Sequence, residues 1–321
     1  MSASRILLVI LAALVSFNSH SQTWPTKPVR FIVPYPPGGT VDPLARLLGI
    51  KLGESLGQQF VVENRPGAGG AIGTAAGARS APDGYTFVFV FDAHAVNHSL
   101  LANAGYDPQK DFASVMVVGT APYAIATLAS KPYASFADVV KAAKANPGGV
   151  SVGSIGNGTL AHLILVLAQQ AGGFQINHIP FKGGGPMTQA VLGGQVDLGI
   201  GSAALLTPHV KGGKMRAVAV TGDKRAATLP DVATLGEQGI PGVVVHAWWG
   251  IVAPAGTPRP IIDRFHAELA KAISLPEVKK VLAENIGMEL LVSTPEQMDK
   301  FVAAEAQRWA KVIRDNNIRA D

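Results

Sequence analysis

Apolar positions along the chain follow two alternating rhythms. Short runs rich in β-branched and aromatic residues, "VRFIVPY" and "YTFVFVF" among them, have the length and composition of buried strands. Between such runs the apolar residues shift to helical spacing, as with Leu44, Leu47, Leu48 and Leu52 in "PLARLLGIKLGESLG". "QQFVVENR" predicts another strand, "GGAIGTAAGARS" a helix of small residues and "APDG" a turn. Ser135 then caps a helix over "FADVVKAAKAN", ended by Pro147 and Gly148, and the strand "GVSVGSI" leads into "GNGTLAHLILVLAQQAG". "INHIPF", "PMTQAVLGG", "VDLGIG", "LLTPHVKGG" and "MRAVAV" keep the alternation going, which predicts a mainly parallel sheet covered by helices. The last third gives a strand in "GVVVHAWWGIVAP", helices over "PRPIIDRFHAELAKAIS" and "LPEVKKVLAENIG", and a strand in "MELLVS". A final helix opens on Thr294, Pro295 and Gln297, which are an N-cap, a first-turn proline and a capping-box partner.

Length and composition then bound the architecture. A chain of 321 residues exceeds the roughly 250 to 300 at which single cores stop growing, so two lobes are expected. Hydrophobic residues at 48% against 15% charged fit a folded α/β protein and exclude extended disorder. The apolar run at residues 6–15 is short of the about 20 residues that a spanning helix needs. With Ser19-His20-Ser21 after it, the run reads as a cleavable secretory signal over residues 1–21, cut before Gln22, and a periplasmic protein follows. Zero cysteines exclude disulfides, thiol chemistry, a thiolate metal site and a lipid-anchoring cysteine. The net charge of +5 is spread over scattered lysines and arginines, with no basic block suited to nucleic acid.

Candidate chemistry sits in the glycine-rich loops. Gly156-Asn157-Gly158-Thr159-Leu160-Ala161 has a dinucleotide-binding spacing after a strand, but the acid wanted about 20 residues on is replaced by Ile176, Asn177, His178 and Ile179. What stands is a helix N-terminus at Thr159, whose amides and dipole suit a carboxylate or phosphate; the competing reading has Asn157 or Thr159 capping its own helix with nothing bound. In "YPPGGTVDPLAR", Asp42 before Pro43 reads as an N-cap accepting the amides of Leu44 or Ala45, which leaves those of residues 38–41 for a ligand. His94 and His98 stand at i, i+4, yet Ala95 replaces the glutamate of a metalloprotease. A metal pair with Asp92 competes there with a plain loop of satisfied histidines. Neither Ser154 nor Ser202 lies in G-x-S-x-G, and Met215 after Gly213-Lys214 breaks a P-loop. "FKGGGP" is a further close-approach loop in which Lys182 is either an anion contact or a solvated lysine.

"PYPPGGTVDPLAR", "VENRPGAGGAIGT", "GSIGNGTLAHL", "IPFKGGGP", "GGQVDLGI", "GKMRAVAVT" and "WWGIVAPAGTP", in this order, resemble the Bug-type periplasmic solute-binding proteins of tripartite tricarboxylate transporters, from Trp24 to the C-terminus. The resemblance implies a two-lobed type II periplasmic binding protein fold with two crossovers, lobe one over residues 22–120 and 247–321 and lobe two over 121–246. It implies a monomeric, non-enzymatic carrier without cofactor or metal, closing on a small organic acid for delivery to membrane permease subunits. Ligand contacts would come from Tyr35, Gly38, Gly39, Thr40 and Asp42 in the first loop and from Ser154, Gly156, Asn157, Gly158 and Thr159 in the second, with His94, Phe181 and Ser202 beside them. Phe181 stands where this family commonly has tyrosine, which bears on specificity and not on fold. Two alternatives are a receptor signalling to a sensor kinase and a secreted metal-dependent hydrolase built on Asp92, His94 and His98.

Overall fold

Most elements fall where the apolar rhythm puts them. A computed structural model describes residues 24–101, 103–285 and 287–318, so the expected leader lies outside the described residues. The first lobe opens with β1 (Val29–Val33), α1 (Val41–Leu56), β2 (Phe60–Asn64), α2 (Ala71–Ala78), β3 (Thr86–Phe91) and α3 (Ala93–Leu100). A long strand, β4 (Phe112–Leu128), leads to α4 (Phe136–Ala145), β5 (Ser151–Ser154), α5 (Leu160–Gly172), β6 (Asn177–Pro180) and α6 (Gly184–Leu192). Then come β7 (Leu198–Ser202), α7 (Ala203–Lys211), β8 (Met215–Val220) and the returning strand β9 (His246–Pro254). The chain closes with α8 (Arg259–Ser274), α9 (Pro276–Lys279) continued by a π turn, β10 (Glu289–Leu290) and α10 (Pro295–Asp315). Ser135 and Thr294 both form complete capping boxes, each a contribution of about 1 kcal/mol to its helix.

One hydrogen-bonded path runs β2-β1-β3-β9-β4-β7-β5-β6, with β8 and β10 also on β4. β1 pairs in parallel with β2 and β3, as β5 does with β6 and β7, while β4 and β9 run antiparallel to their neighbours. β4 pairs with β9 from Phe112 opposite Pro254 to Pro122 opposite His246, and from Tyr123 onward it pairs with β7 instead. The apolar rhythm gives no element here, because Gly119 and Pro122 punctuate the run as a loop would. Pro122 lacks an amide to give, and it stands where the strand changes partners.

Strands buried on both faces need two apolar layers. Phe31, Phe87, Phe89 and Ile251 face Leu44, Leu48, Phe265 and Leu269 of α1 and α8. Ile32, Val88, Val90 and Trp248 face the opposite way, onto Ala71 and Ala75 of α2 and Met298 and Val302 of α10. The small residues of α2 have a packing cause: a Cβ on Gly77 would stand 2.2 Å from Val88 Cγ2. In lobe two Met187, Val191 and Leu206 back onto Ala124 and Ala126 in the same manner.

Candidate ligand-binding cleft

Residues 34–40 carry the chain from β1 into α1, and the helix starts two residues earlier than an Asp42 cap requires. Thr40 is the N-cap, and its Oγ1 accepts from Trp249 Nε1 at 2.9 Å. Asp42 lies inside the first turn, where Arg46 Nη2 donates to it at 2.9 Å, Arg46 Nε at 3.0 Å and Asn64 Nδ2 at 2.9 Å. The capping expectation for Asp42 is therefore corrected. Asn64 Nδ2 also donates to the Tyr35 carbonyl at 3.0 Å, so the acid fixes the loop through Asn64 while its own charge meets Arg46.

Residues 155–159 carry β5 into α5. Gly156 takes φ +138, and its amide donates to Ser154 Oγ at 3.2 Å. Ser154 Oγ lies 2.6 Å from His178 Nε2. Burial, helped by the neighbouring His162, pushes the His178 imidazole down to about 4, so at neutral pH Nε2 can accept the serine proton while the oxygen accepts the Gly156 amide. Thr159 is the N-cap, but its hydroxyl donates to the Gly156 carbonyl at 2.7 Å instead of capping. No acid occupies the first turn of α5.

A third loop, "FKGGGP", brings lobe two against lobe one. A Cβ on Gly185 would stand 3.0 Å from the Pro37 carbonyl oxygen and 3.2 Å from Gly38 C, and one on Gly183 2.9 Å from Pro36 Cδ. Backbone thus meets backbone between the lobes. Beside this contact lies a cleft in two parts. The larger, about 220 Å³, is lined by Tyr35, residues 67–70, Ile155, Gly156, Asn157, Phe181 and Lys182. The smaller, about 30 Å³, is lined by Tyr35, Gly39, Thr40, Phe91, Ser202 and Leu205 among others.

Of the expected contacts, Tyr35, Gly39, Thr40, Gly156, Asn157, Phe181 and Ser202 come together on this cleft. Gly38, Ser154, Gly158 and Thr159 belong to the same loops without lining it, and Asp42 turns away to Arg46. Ser202 caps α7, its Oγ accepting the Leu205 amide at 3.3 Å. Ile155, inside the second loop, also lines the cleft, and residues 67–70 and Leu205 reach it from outside the two expected loops. The glycines of "VENRPGAGGAIGT" are the one sequence signal that points to residues 67–70.

His94 is not in a loop but on α3, buried and stacked on Tyr106 at 5.4 Å with Phe112 and Trp248 at its edges. Burial pushes its imidazole down to about 3, and neither ring nitrogen has a hydrogen-bond partner. His98 is exposed, so the pair does not converge. Among the described residues no group of three His, Asp or Glu side chains is placed to hold a metal ion. Asp92 is fully buried, burial holds its carboxyl well above the usual range, and Tyr123 donates to its Oδ2 at 2.6 Å.

Two lobes linked by the strands β4 and β9, with glycine loops of each meeting beside an interlobe cleft, define a solute-binding protein of the two-lobed periplasmic type. The family described as "Tripartite tricarboxylate transporter family receptor" matches residues 44–318, and the chain belongs to it. Protein BugT of Bordetella pertussis is 36% identical over 99% of both chains. Two solved structures from Rhodopseudomonas palustris are similar throughout. Rpa4515 with adipate has TM-score 0.87 and 34% identity, covering 92% of this chain and 99% of its own. MatC with bound malate has TM-score 0.85 and 29% identity, covering 90% of this chain and 100% of its own.

Proposed function

We propose that this protein is a periplasmic receptor that captures a small organic acid in the cleft between its lobes and passes it to the membrane permease of a tripartite transporter, its leader over residues 1–21 having been removed. The observation that carries the reading is the close approach of residues 36–38 to residues 183–185 of the other lobe, beside a cleft lined also by residues 155–157 whose larger part is about 220 Å³. That volume lies below the about 300 to 1,000 Å³ of drug-sized sites and suits a small metabolite. Backbone amides of the loop ahead of α5, with the helix dipole behind them, would receive a carboxylate without a fixed arginine, and Tyr35, Gly39, Thr40, Gly156, Asn157, Phe181 and Ser202 would form the contact surface. The partner exchange of β4 between Pro122 and Tyr123 supports a lobe boundary near residues 120–121 and 246–247. The adipate and malate of the solved relatives support an acid ligand. Binding would be capture and release with no bond made or broken, the ligand favouring the closed state by its differential affinity for it.

A thermal-shift screen of dicarboxylates, tricarboxylates, aromatic acids and acidic amino acids tests this. At least one class should raise the Tm by several degrees at saturating ligand, because ligand that binds only the folded state stabilises it. A flat response to all four classes would overturn the reading.

A further inference from the structure

The two parts of the cleft share Tyr35, Pro36, Ile155 and Gly183, which form its waist. Side chains there and just beyond are apolar: Pro36 and Ile155 at the waist, Phe181 on the larger side, Phe91 and Leu205 on the smaller. Phe181 is held by its own lobe, since a Cβ on Gly153 would stand 3.0 Å from its Cε2. The Tyr35 ring stands at the waist, and its hydroxyl, which accepts from the Phe91 backbone amide, lies against Gly70 on the larger side. Polar side chains stand at the two ends, Thr40 and Ser202 in the smaller part, Asn157 and Lys182 in the larger.

Carboxyl groups at the ends of a ligand therefore have hydrogen-bonding and charged side chains beside them, whereas a hydroxyl on its middle carbons meets apolar side chains. A hydroxyl buried without a partner forfeits its bonds to water and weakens binding, by a factor of about ten for each such group in the lower half of the usual range. Resting on the organic-acid reading above, we propose that this cleft selects acids whose carbon skeleton is bare between the carboxyl ends, and that Ile155 and Phe181 are the residues that reject a hydroxyl there. Solved relatives hold one acid of each kind, bare adipate and hydroxylated malate, so family membership leaves the choice open.

Calorimetric titration of the purified chain with adipate and 3-hydroxyadipate, and with succinate and malate, tests the proposal. In the pair that binds, the bare acid should be tighter by about tenfold, and Phe181→Tyr, which adds a hydroxyl to the ring lining the cleft, should narrow that ratio by about threefold or more. Equal or tighter binding of the hydroxylated acid to the wild-type chain would overturn the selection. A ratio unmoved in both Phe181→Tyr and Ile155→Thr would overturn the assignment to these residues. Flat titrations with all four acids, alongside a flat thermal screen, would instead remove the organic-acid reading itself and this inference with it.

Discussion

The loops after β1 and β5 share one plan, a strand, a pair of glycines and a helix, and differ in what their polar side chains do. In the first, Asp42 occupies the first turn of α1 and holds Arg46 and Asn64, while Thr40 reaches across to Trp249 on the long strand β9. In the second, no acid stands in the first turn of α5, and the hydroxyls of Ser154 and Thr159 fold back onto Gly156 of the same loop. A carboxylate in the first turn already offsets the positive helix end, an effect of about 0.3 to 1 kcal/mol, so a second anion gains less at α1 than at α5. Under the proposed function, anion recognition falls to lobe two, and lobe one supplies a braced wall against which lobe two closes.

The strongest way to break that division is to keep the wall from being reached. Gly185 sits in the first turn of α6 with a backbone that accepts any residue, and its missing Cβ is what lets it approach Pro37 and Gly38. Gly185→Val should lower ligand affinity by about 100-fold, the factor that follows when the closed state is raised by about 2.7 kcal/mol. The melting temperature without ligand should stay close to wild type, because the clash is with the other lobe. Wild-type affinity in calorimetry would show that closure does not depend on this contact.

A finer cut compares one glycine from each loop. Gly156 has φ +138, and a Cβ there would stand 3.2 Å from the Phe181 carbonyl oxygen, whereas a Cβ on Gly39 would meet nothing nearer than the Pro36 carbonyl oxygen at 4.0 Å. Strain at such a φ is of the order of 1 to 3 kcal/mol, and the loop would relax by shifting the amides it presents. Gly156→Ala should therefore weaken binding by about tenfold and Gly39→Ala by less than about threefold. The reverse order in paired titrations would place anion recognition in lobe one.

How far the sequence reveals this site depends on the range of the contacts involved. Glycine loops between a strand and a helix are local, and residues 38–39 and 156–158 can be read directly. The Asp42 and Arg46 spacing is local too, but it competes with an Asp-Pro cap signature, and the deciding partner, Asn64, is 22 residues away. Leu205 and residues 67–70 reach the cleft only through the order of strands in the sheet, which local periodicity does not encode. β4 escapes notice for the opposite reason: local glycine and proline signals speak against a strand that long-range pairing with β9 and β7 imposes.

The least effect on binding is expected from a buried histidine of lobe one, which makes it the control for its counterpart in lobe two. His178 supports the anion loop through Ser154, and His94 is packed among Tyr106, Phe112 and Trp248 with no cleft contact. Both imidazoles are held below the ordinary value of 6.5, to about 4 and about 3. The unfolded chain then takes up protons that the folded chain refuses, so each contribution to stability is whole above pH 6.5 and falls away as the pH drops toward the folded value. His94→Phe removes that fall for lobe one together with two ring nitrogens that have no partner. Its Tm should match or exceed wild type at pH 7, and its lead should widen by pH 5 by about 2 kcal/mol of stability. Ligand affinity should stay within about twofold of wild type, whereas His178→Phe, which flattens the same pH profile from the other lobe, should loosen binding by about fivefold or more. Equal losses of affinity in the two variants would mean that the histidines act through stability alone and that the Ser154–His178 contact does not hold the loop.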